Sequence, residues 1–423
     1  MRLLALHDPP TLPAASSSPV QVKEARPRFL HIHADSEAAR VLRAVRSVLP
    51  WWGLMVVLAL SWGVARLSLP NPPNISTFYE RTVFGTLAYH DAFSNIRLAE
   101  EGYRDVGMRE YQTSVRFPVH PMLTRFVSRF TGWDTATSAF VVSKAALLGG
   151  LVGLWLLVAQ LHSEAWASRA IPYMLLPLLG SGYTWYLSFP EPVHLLTWTL
   201  GLYWLLRDEI LPCTLITIVG VWTRPHAVLI LPVFALVLLV KWRNGEYRGL
   251  FDGRLWRHGV LVGGIPLLAF SAWMLHMTHI TGIAYAPIVG QDQFGRVRST
   301  PWAVLGDRVY RMSLQPDPGL QLGYVLEIGQ VSMALFAVIL LLWLAHKRRA
   351  HPALFMLTLL FILPGMSTGL FAIGRYALLT WTPLLWLYLV PRRFDALLWM
   401  LGLGFSYVLF ILLTLAPAMR FVP

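Results

Sequence analysis

Apolar runs occupy most of this sequence, and they constrain its fold more than any other feature. A helix needs about 20 predominantly apolar residues to cross the hydrocarbon core of a bilayer. Only 13% of the 423 residues are charged, against about 25% in a typical soluble domain. The runs therefore predict an all-α polytopic membrane protein with about eleven transmembrane helices. Their approximate bounds are 51–69, 138–161, 170–187, 193–206, 210–222, 226–241, 258–280, 322–345, 353–371, 376–390 and 396–416.

The first 50 residues differ from the rest of the chain. They are rich in proline and serine at 9–20 and basic further on, and they lack the apolar core of a cleavable signal peptide. We expect residues 1–50 to be a disordered basic cytoplasmic leader, followed by a single transmembrane domain over 51–423. Within that domain, residues 70–137 are expected to form the first extracytoplasmic loop.

The distribution of lysine and arginine predicts the orientation of the helices. With the N-terminus in the cytoplasm, the loops that become cytoplasmic hold most of the short-loop cations, among them Arg207, Lys241, Lys347 and Arg392. Cytoplasmic loops carry an excess of such residues, so the C-terminus is expected outside the cytoplasm, and a bacterial cytoplasmic membrane is the default location. The same bias explains the formal charge of +13. The predicted partner is therefore the bilayer, with no nucleic acid.

The first extracytoplasmic loop contains two amphipathic patterns. One covers 119–130, with Pro121 in its first turn and arginines on its other face. A weaker apolar stripe over 93–99 precedes it and ends at Gly102. We expect two helices lying in the outer membrane interface. The alternative is that they only cap the helical bundle.

Asp91 lies in the segment LAYHDAFSNIRLAEEGYRD, shortly after the first apolar run. A carboxylate at a membrane surface is expected to be partly desolvated, which raises its pKa toward the useful range of a general base. The alternative is a helix N-cap, which is the commoner role of a loop aspartate. The residues alone leave both roles open.

Arg224 and Arg375 are cations on the side of the membrane where short loops otherwise lack them. Each lies beside an apolar helix end, where a charge without a partner is costly. A phosphate is a natural partner because guanidinium binds it through two parallel hydrogen bonds. The alternative is a salt bridge with Asp91 or with Glu191, which lies in the turn YLSFPEPVHLL.

Metal and nucleotide sites receive little support from the sequence. His90, His120, His194 and His226 fall on the extracytoplasmic side, but no pair has zinc-ligand spacing within one helix. The sequence has no Walker loop and no dinucleotide fingerprint. No cofactor is identified, and a divalent cation at the site would change the mechanism.

Four sets of segments, in order across most of residues 85–390, carry a family resemblance. They are HDAFSNIRLAEEGYRD, then RFPVHPMLTRFVSRFTG, then FPEPVHLL with TRPHAVLILP, and finally GRYALLTWTPLL. Together they resemble the PIG-V-like mannosyltransferases, which are related to GPI mannosyltransferase 2 within the GT-C membrane glycosyltransferases. Where this family has Trp and Tyr, the chain has His90 and His120, and Phe189-Pro190 stands in place of Tyr-Ser before Glu191.

The resemblance implies a GT-C-like bundle that transfers a sugar, mannose in the family, with inversion. The implied donor is a polyprenyl- or dolichyl-phosphate sugar, and the acceptor is a lipid or glycan outside the cytoplasm. Asp91 is assigned as the catalytic carboxylate that takes the proton of the acceptor hydroxyl, while Arg224 or Arg375 holds the phosphate. The matching segments give the substrate-binding residues as Glu191, Arg224, Arg375, Tyr376, His120 and His90.

Two other functions are open at this stage. A transporter or flippase of lipid-linked sugars predicts charges in mid-span and matching broken helices in the two halves of the chain. The runs hold only Lys144 and Glu327 away from their ends, and they show no half-to-half symmetry. A non-catalytic membrane subunit predicts that Asp91 is only a helix cap.

Overall fold

The computed structural model describes residues 36–68, 82–88, 91–103, 115–176, 181–290, 299–314, 318–368 and 373–415. All the secondary structure in these ranges is helical. The α-helices, numbered in chain order, are α1 (Glu37–Leu67), α2 (Asp91–Glu101), α3 (Val119–Thr131), α4 (Thr135–Leu161), α5 (Glu164–Leu175), α6 (Glu191–Leu206), α7 (Ile210–Val221), α8 (Ile230–Arg243), α9 (Gly253–Gly259), α10 (Ile265–Thr281), α11 (Ala286–Val289), α12 (Pro301–Leu314), α13 (Pro318–His346), α14 (Pro352–Thr368), α15 (Ile373–Leu378), α16 (Trp386–Leu389) and α17 (Asp395–Leu415).

The described residues contain six helical segments that are long and apolar enough to cross a membrane. This agrees with an all-α integral membrane protein, but it does not show the eleven spans that the apolar runs predict. Ile210–Val221 and Pro352–Met366 are apolar but shorter. The six long segments are Glu37–Leu67, Thr135–Leu161, Pro225–Arg243, Gly253–Thr281, Glu327–His346 and Arg392–Ile411.

The apolar run at 376–390 is not one continuous helix, so the span predicted there is not confirmed. It is divided between the end of α15, a 3₁₀ turn at Thr382–Leu385 and the short helix α16. Pro383 lies at the start of the 3₁₀ turn. A proline has no backbone N–H to donate and its ring clashes with the preceding turn, which favours a break at this position. Helices α1, α5 and α14 nevertheless continue through Pro50, Pro172 and Pro364.

Helix α1 begins well before the boundary predicted for the leader. Ser36 caps its first turn by accepting a hydrogen bond from the backbone N–H of Ala39. The basic residues that suggested disorder have partners on other helices: Arg40 donates to Gln160, and Arg43 pairs with Glu164. The leader prediction was therefore wrong for residues 37–50, while residues 1–35 lie outside the described ranges.

Helix α4 is the centre of the bundle, and it packs closely along α6. A Cβ added at Gly150 would lie 2.9 Å from the backbone N of Leu196, and one at Gly153 would lie 2.6 Å from Oγ1 of Thr199. Small residues at these positions let the two helix backbones approach each other. Because the C-terminal end of α1 and the N-terminal ends of α4 and α6 lie at one end of the bundle, that end collects the loops that carry the site.

Both helices expected in the first extracytoplasmic loop are present, as α2 and α3. Arg125 of α3 donates to the carbonyls of Ala99 and Glu100, which caps the C-terminal end of α2 and joins the two helices. The face of α3 that carries Phe126 and Phe130 is exposed, while His120 is buried. The apolar stripe therefore points away from the protein, as a lipid-facing stripe would.

Candidate active site

Asp91 is the first residue of α2, and its carboxylate is held by two arginines from distant parts of the chain. Nη2 of Arg116 lies 2.8 Å from Oδ1, and Nη1 of Arg375 lies 2.7 Å from Oδ2. Arg116 lies three residues before the start of α3, and Arg375 lies in α15. The recorded partners of this carboxylate are thus guanidinium groups, which differs from the N-cap role that the sequence left open.

Arg375 extends the cluster to a second carboxylate. Its Nη1 lies 3.4 Å from Oε1 of Glu191, the first residue of α6. The same Oε1 lies 2.5 Å from Nη2 of Arg224. The structure therefore brings together Asp91, Glu191, Arg224 and Arg375, which the sequence had placed on one side of the membrane.

We call this group the charged cluster: Arg116, Asp91, Arg375, Glu191 and Arg224. The alternative that the sequence left open for Arg224 and Arg375 is confirmed: Arg224 forms a salt bridge with Glu191, and Arg375 forms one with Asp91. With both carboxylates ionised, the cluster holds three positive and two negative charges, a net charge of +1. Among the described residues, the ion pairs therefore leave one positive charge of the cluster without a matching carboxylate, and they do not exclude an anionic ligand.

The charge state of Asp91 differs from the sequence-based expectation. Burial raises its pKa, but the charges of Arg116 and Arg375, the hydrogen bond from Arg116 and the charge of Arg224 together hold the pKa well below its ordinary value. The expected upward shift was wrong because the arginines outweigh desolvation. Asp91 is therefore an anion in the resting protein. It is a weaker base than a carboxylate whose pKa lies near neutral pH.

Backbone contacts from α4 fix the turn that carries Glu191. Ser143 donates to the carbonyl of Phe189, and Nζ of Lys144 donates to the carbonyls of Trp185 and Leu187, the latter at 2.9 Å. The mid-span charge of Lys144 is thus bound to the backbone that leads into Glu191. Lys144 therefore holds the backbone in place. In a transporter, a charge in the middle of a span would be expected to line an ion path instead.

The ring of Phe189 also supports the cluster. The guanidinium carbon of Arg375 lies 5.6 Å from the centre of this ring, within the range of a cation–π contact. Phe189 is one of the positions where the chain departs from the family pattern. The phenyl ring retains an aromatic face at this position and offers no hydroxyl group to compete for the guanidinium.

His120 lies near the cluster on α3 and is almost fully buried. Among the described residues, neither of its ring nitrogens has a hydrogen-bond partner. Burial, together with the charge of Arg224, lowers its pKa to about 3. A neutral imidazole has one donor and one acceptor nitrogen, so His120 can bind a ligand hydroxyl group in either direction.

The remaining predicted residues lie to one side of the cluster or outside the described ranges. Tyr376 packs against His226, with 4.5 Å between ring centres. His194 contacts Thr223 through Nδ1 at 3.0 Å and stacks on Phe361. His90 is outside the described ranges.

Sequence reasoning missed Arg116 as a member of the site. It stands at the start of RFPVHPMLTRFVSRFTG, a segment that was singled out for its helical pattern and family resemblance. Its position one residue before Phe117-Pro118 does not distinguish it from the other arginines of residues 70–137. Only the fold shows that this arginine reaches Asp91.

Within the described residues, no group of three or more histidine, cysteine, aspartate or glutamate side chains is placed to hold a metal ion. In comparisons with known proteins, no family model matches the sequence, and neither a curated protein nor a solved structure shows significant similarity to the chain. The family resemblance thus rests on the motifs alone, and the function must be argued from the charged cluster.

Proposed function

We propose that this chain is a GT-C-type membrane glycosyltransferase that moves a sugar from a polyprenyl-phosphate donor to an extracytoplasmic lipid or glycan acceptor. The observation that carries the proposal is the charged cluster, with a carboxylate and an excess of guanidinium groups in one buried place. Mannose is the sugar suggested by the motif resemblance. The proposed location is the outer face of a bacterial cytoplasmic membrane, with a cytoplasmic N-terminus.

The charge of the cluster suits the phosphate of such a donor. A phosphodiester that joins a sugar to a lipid carries one negative charge, and the cluster, counted over the part of the chain that the structure describes, has one positive charge in excess. In a partly buried site this match matters, because a charge that leaves water needs a partner to offset its desolvation. Arginine is well suited to this task because its planar donors fit phosphate oxygens in pairs.

The proposed reaction is a single displacement. The acceptor oxygen attacks the anomeric carbon from the side opposite the phosphate, the bond from that carbon to the phosphate oxygen breaks, and the configuration inverts. Asp91 takes the acceptor proton, and the departing lipid phosphate keeps the bonding electrons. Arg375 and Arg224 stabilise the negative charge that grows on the phosphate as it leaves.

His120 fits the sugar in this arrangement. Its buried ring nitrogens have no hydrogen-bond partner among the described residues, and such groups are costly to bury unless something binds them. A sugar hydroxyl can both donate and accept, which matches a neutral imidazole. The exposed apolar face of α3, which includes Phe126 and Phe130, then offers a surface for the lipid chain beside the cluster.

The proposal is tested with purified protein in lipid vesicles supplied with labelled prenyl-phospho-mannose and a panel of lipid and glycan acceptors. Asp91→Asn should reduce transfer about 10²- to 10⁴-fold, the contribution of a general base. The matched control is Asp395→Asn, the same substitution in an ion pair on α5 and α17, which should retain the wild-type rate in the folded protein. Full activity of Asp91→Asn would refute the role of this residue. Movement of the labelled lipid across the vesicle without transfer would favour a flippase.

A further inference from the structure

Arg116 and Asp91 form the most accessible end of the charged cluster. The side chains of Arg116 and Asp91 are 16% and 19% exposed, whereas that of Glu191 is completely buried. Arg224 and Arg375 lie between these extremes, at 12% and 9%. A phosphate that approaches from outside therefore reaches the Arg116–Asp91 pair before the deeper guanidinium groups.

The backbone at Arg116 is fixed, while its side chain keeps 16% of its surface exposed. The hydroxyl of Tyr103 donates to the carbonyl of Arg116 at 2.8 Å. The next residue, Phe117, is buried against Phe270 and Trp273 of α10. Any movement of this guanidinium must therefore come from side-chain rotation. Such a rotation can move the guanidinium from the carboxylate of Asp91 to a phosphate oxygen nearby.

We propose that Arg116 is a phosphate-binding residue that exchanges partners, holding Asp91 in the resting protein and binding the donor phosphate in the loaded one. This inference rests on the proposed function, because the phosphate is that of the lipid-linked donor. The exchange couples two events. While no donor is present, the negative charge of Asp91 stays paired with Arg116. When the phosphate binds Arg116, Asp91 loses this partner and becomes a stronger base.

The strength of the base follows from the charges that face Asp91. These are Arg116 from the segment before α3, Arg375 from α15 and Arg224 from the turn before α8, with Glu191 and Tyr183 close by. Arg116 is the stronger of the two contacting cations in lowering the pKa of Asp91. When Arg116 moves to the phosphate, that pKa rises, so the carboxylate accepts a proton more readily.

The exchange makes a counterintuitive prediction about binding. If Arg116 must leave Asp91 before it can bind phosphate, then Asp91→Asn should tighten the binding of a prenyl methyl phosphodiester, which has one charge and no sugar to transfer. We expect about a 10-fold gain in affinity, the size of one charge-assisted hydrogen bond. Arg116→Gln should weaken binding by a similar factor. In the double variant, the gain from Asp91→Asn should disappear.

Binding is measured with the protein in nanodiscs, so that no activity is needed. Arg97→Gln is the matched control, since Arg97 is an exposed arginine of α2 that pairs with Glu101; its affinity for the phosphodiester should equal that of the wild type. If Asp91→Asn weakens binding, or if its gain persists in the Arg116→Gln background, the exchange is refuted. If the wild type shows no saturable binding at all, the proposed function fails as well.

A second readout separates exchange from a purely structural role. The pH profile of kcat/KM reports the free enzyme, and that of kcat reports the enzyme with bound substrate. In the wild type, the acidic limb should lie at higher pH for kcat than for kcat/KM. In Arg116→Gln, the limb of kcat/KM should move up toward that of kcat. Coincident limbs in the wild type would contradict the exchange.

Discussion

The two ends of the bundle differ in how their buried charges are balanced. At the end opposite the charged cluster, Arg169 of α5 binds Asp395 of α17 through two hydrogen bonds of 2.7 Å. Tyr173 donates to the same carboxylate, and Arg169 also donates to the carbonyl of Val390. This group, which we call the Arg169 pair, matches one positive charge with one negative charge. The two ends are separated by α4, a helix of 27 residues and so roughly 40 Å long.

The difference supports the proposal that the charged cluster, and not the Arg169 pair, serves a ligand. In the Arg169 pair, the charges balance and the partners are all supplied by the protein. Counted over the described residues, the charges of the charged cluster do not balance, and Oε2 of Glu191 and Nε of Arg375 have no hydrogen-bond partner there. A balanced pair joins two helices, whereas an unbalanced cluster at comparable burial is stable only if its excess is small or a ligand completes it.

The largest expected effect is on the stability supplied by the Arg169 pair. Arg169→Met leaves the carboxylate of Asp395 buried without its cation, which should cost about 3 kcal/mol of unfolding free energy. Thermal and denaturant unfolding in detergent measures the loss. The double variant Arg169→Met/Asp395→Leu should recover most of it, because no lone charge then remains. A double variant as unstable as the single one would show that the pair is not simply structural.

The next effect concerns ligand binding at the charged cluster. Arg375→Gln should weaken binding of the prenyl phosphodiester and raise the donor KM by about 10- to 100-fold, since it removes a charged donor worth about 1.5–3 kcal/mol. Arg169→Gln removes the same charge from the other end and should leave binding unchanged in the folded protein. Equal losses in the two variants would erase the distinction between the two ends.

A smaller effect is the response of stability to pH. Because the pKa of Asp91 is lowered in the folded chain, the unfolded chain takes up the proton first, at about pH 3.9. The stability that Asp91 supplies is therefore complete above about pH 5 and is lost as the pH falls through its folded pKa. The difference in unfolding midpoint between the wild type and Asp91→Asn should be constant from pH 5 to 7 and should shrink below pH 4. A change between pH 5 and 7 would indicate a raised pKa instead.

The smallest effect calibrates the comparison. Arg311 and Asp307 of α12 form an ion pair at 2.8 Å in which both side chains are about half exposed. Such pairs contribute at most about 0.5 kcal/mol, so Asp307→Asn should leave the unfolding midpoint nearly unchanged. A loss as large as that of Arg169→Met would mean that burial does not determine the value of ion pairs in this protein.

The sequence predicted the helices better than it predicted which of them cross a membrane. The apolar stripe over 119–130 gave α3 correctly because its period reflects one buried and one exposed face. The eleven-span count relied on run length alone. Run length does not distinguish a short helix enclosed by other helices from a span, and it does not register the break at Pro383.

The site was predictable where charge was unexpected and unpredictable where charge was common. Arg224 and Arg375 stood out because short loops on their predicted side of the membrane otherwise lack cations. Arg116 did not stand out because residues 70–137, the predicted first extracytoplasmic loop, contain many arginines, and only tertiary structure selects the one that reaches Asp91. The same omission explains the wrong direction of the predicted pKa shift, since burial was visible in the sequence and the neighbouring guanidinium groups were not.

The central claim is that the excess positive charge of the cluster binds the phosphate of a lipid-linked sugar. Its most direct test is a structure of the protein in nanodiscs with a non-transferable prenyl-phosphate sugar analogue. The phosphate should lie within hydrogen-bond distance of Arg116 and of Arg375 or Arg224, with the anomeric carbon facing Asp91. A phosphate bound elsewhere, with the contacts between Asp91 and its two arginines unchanged, would contradict the claim.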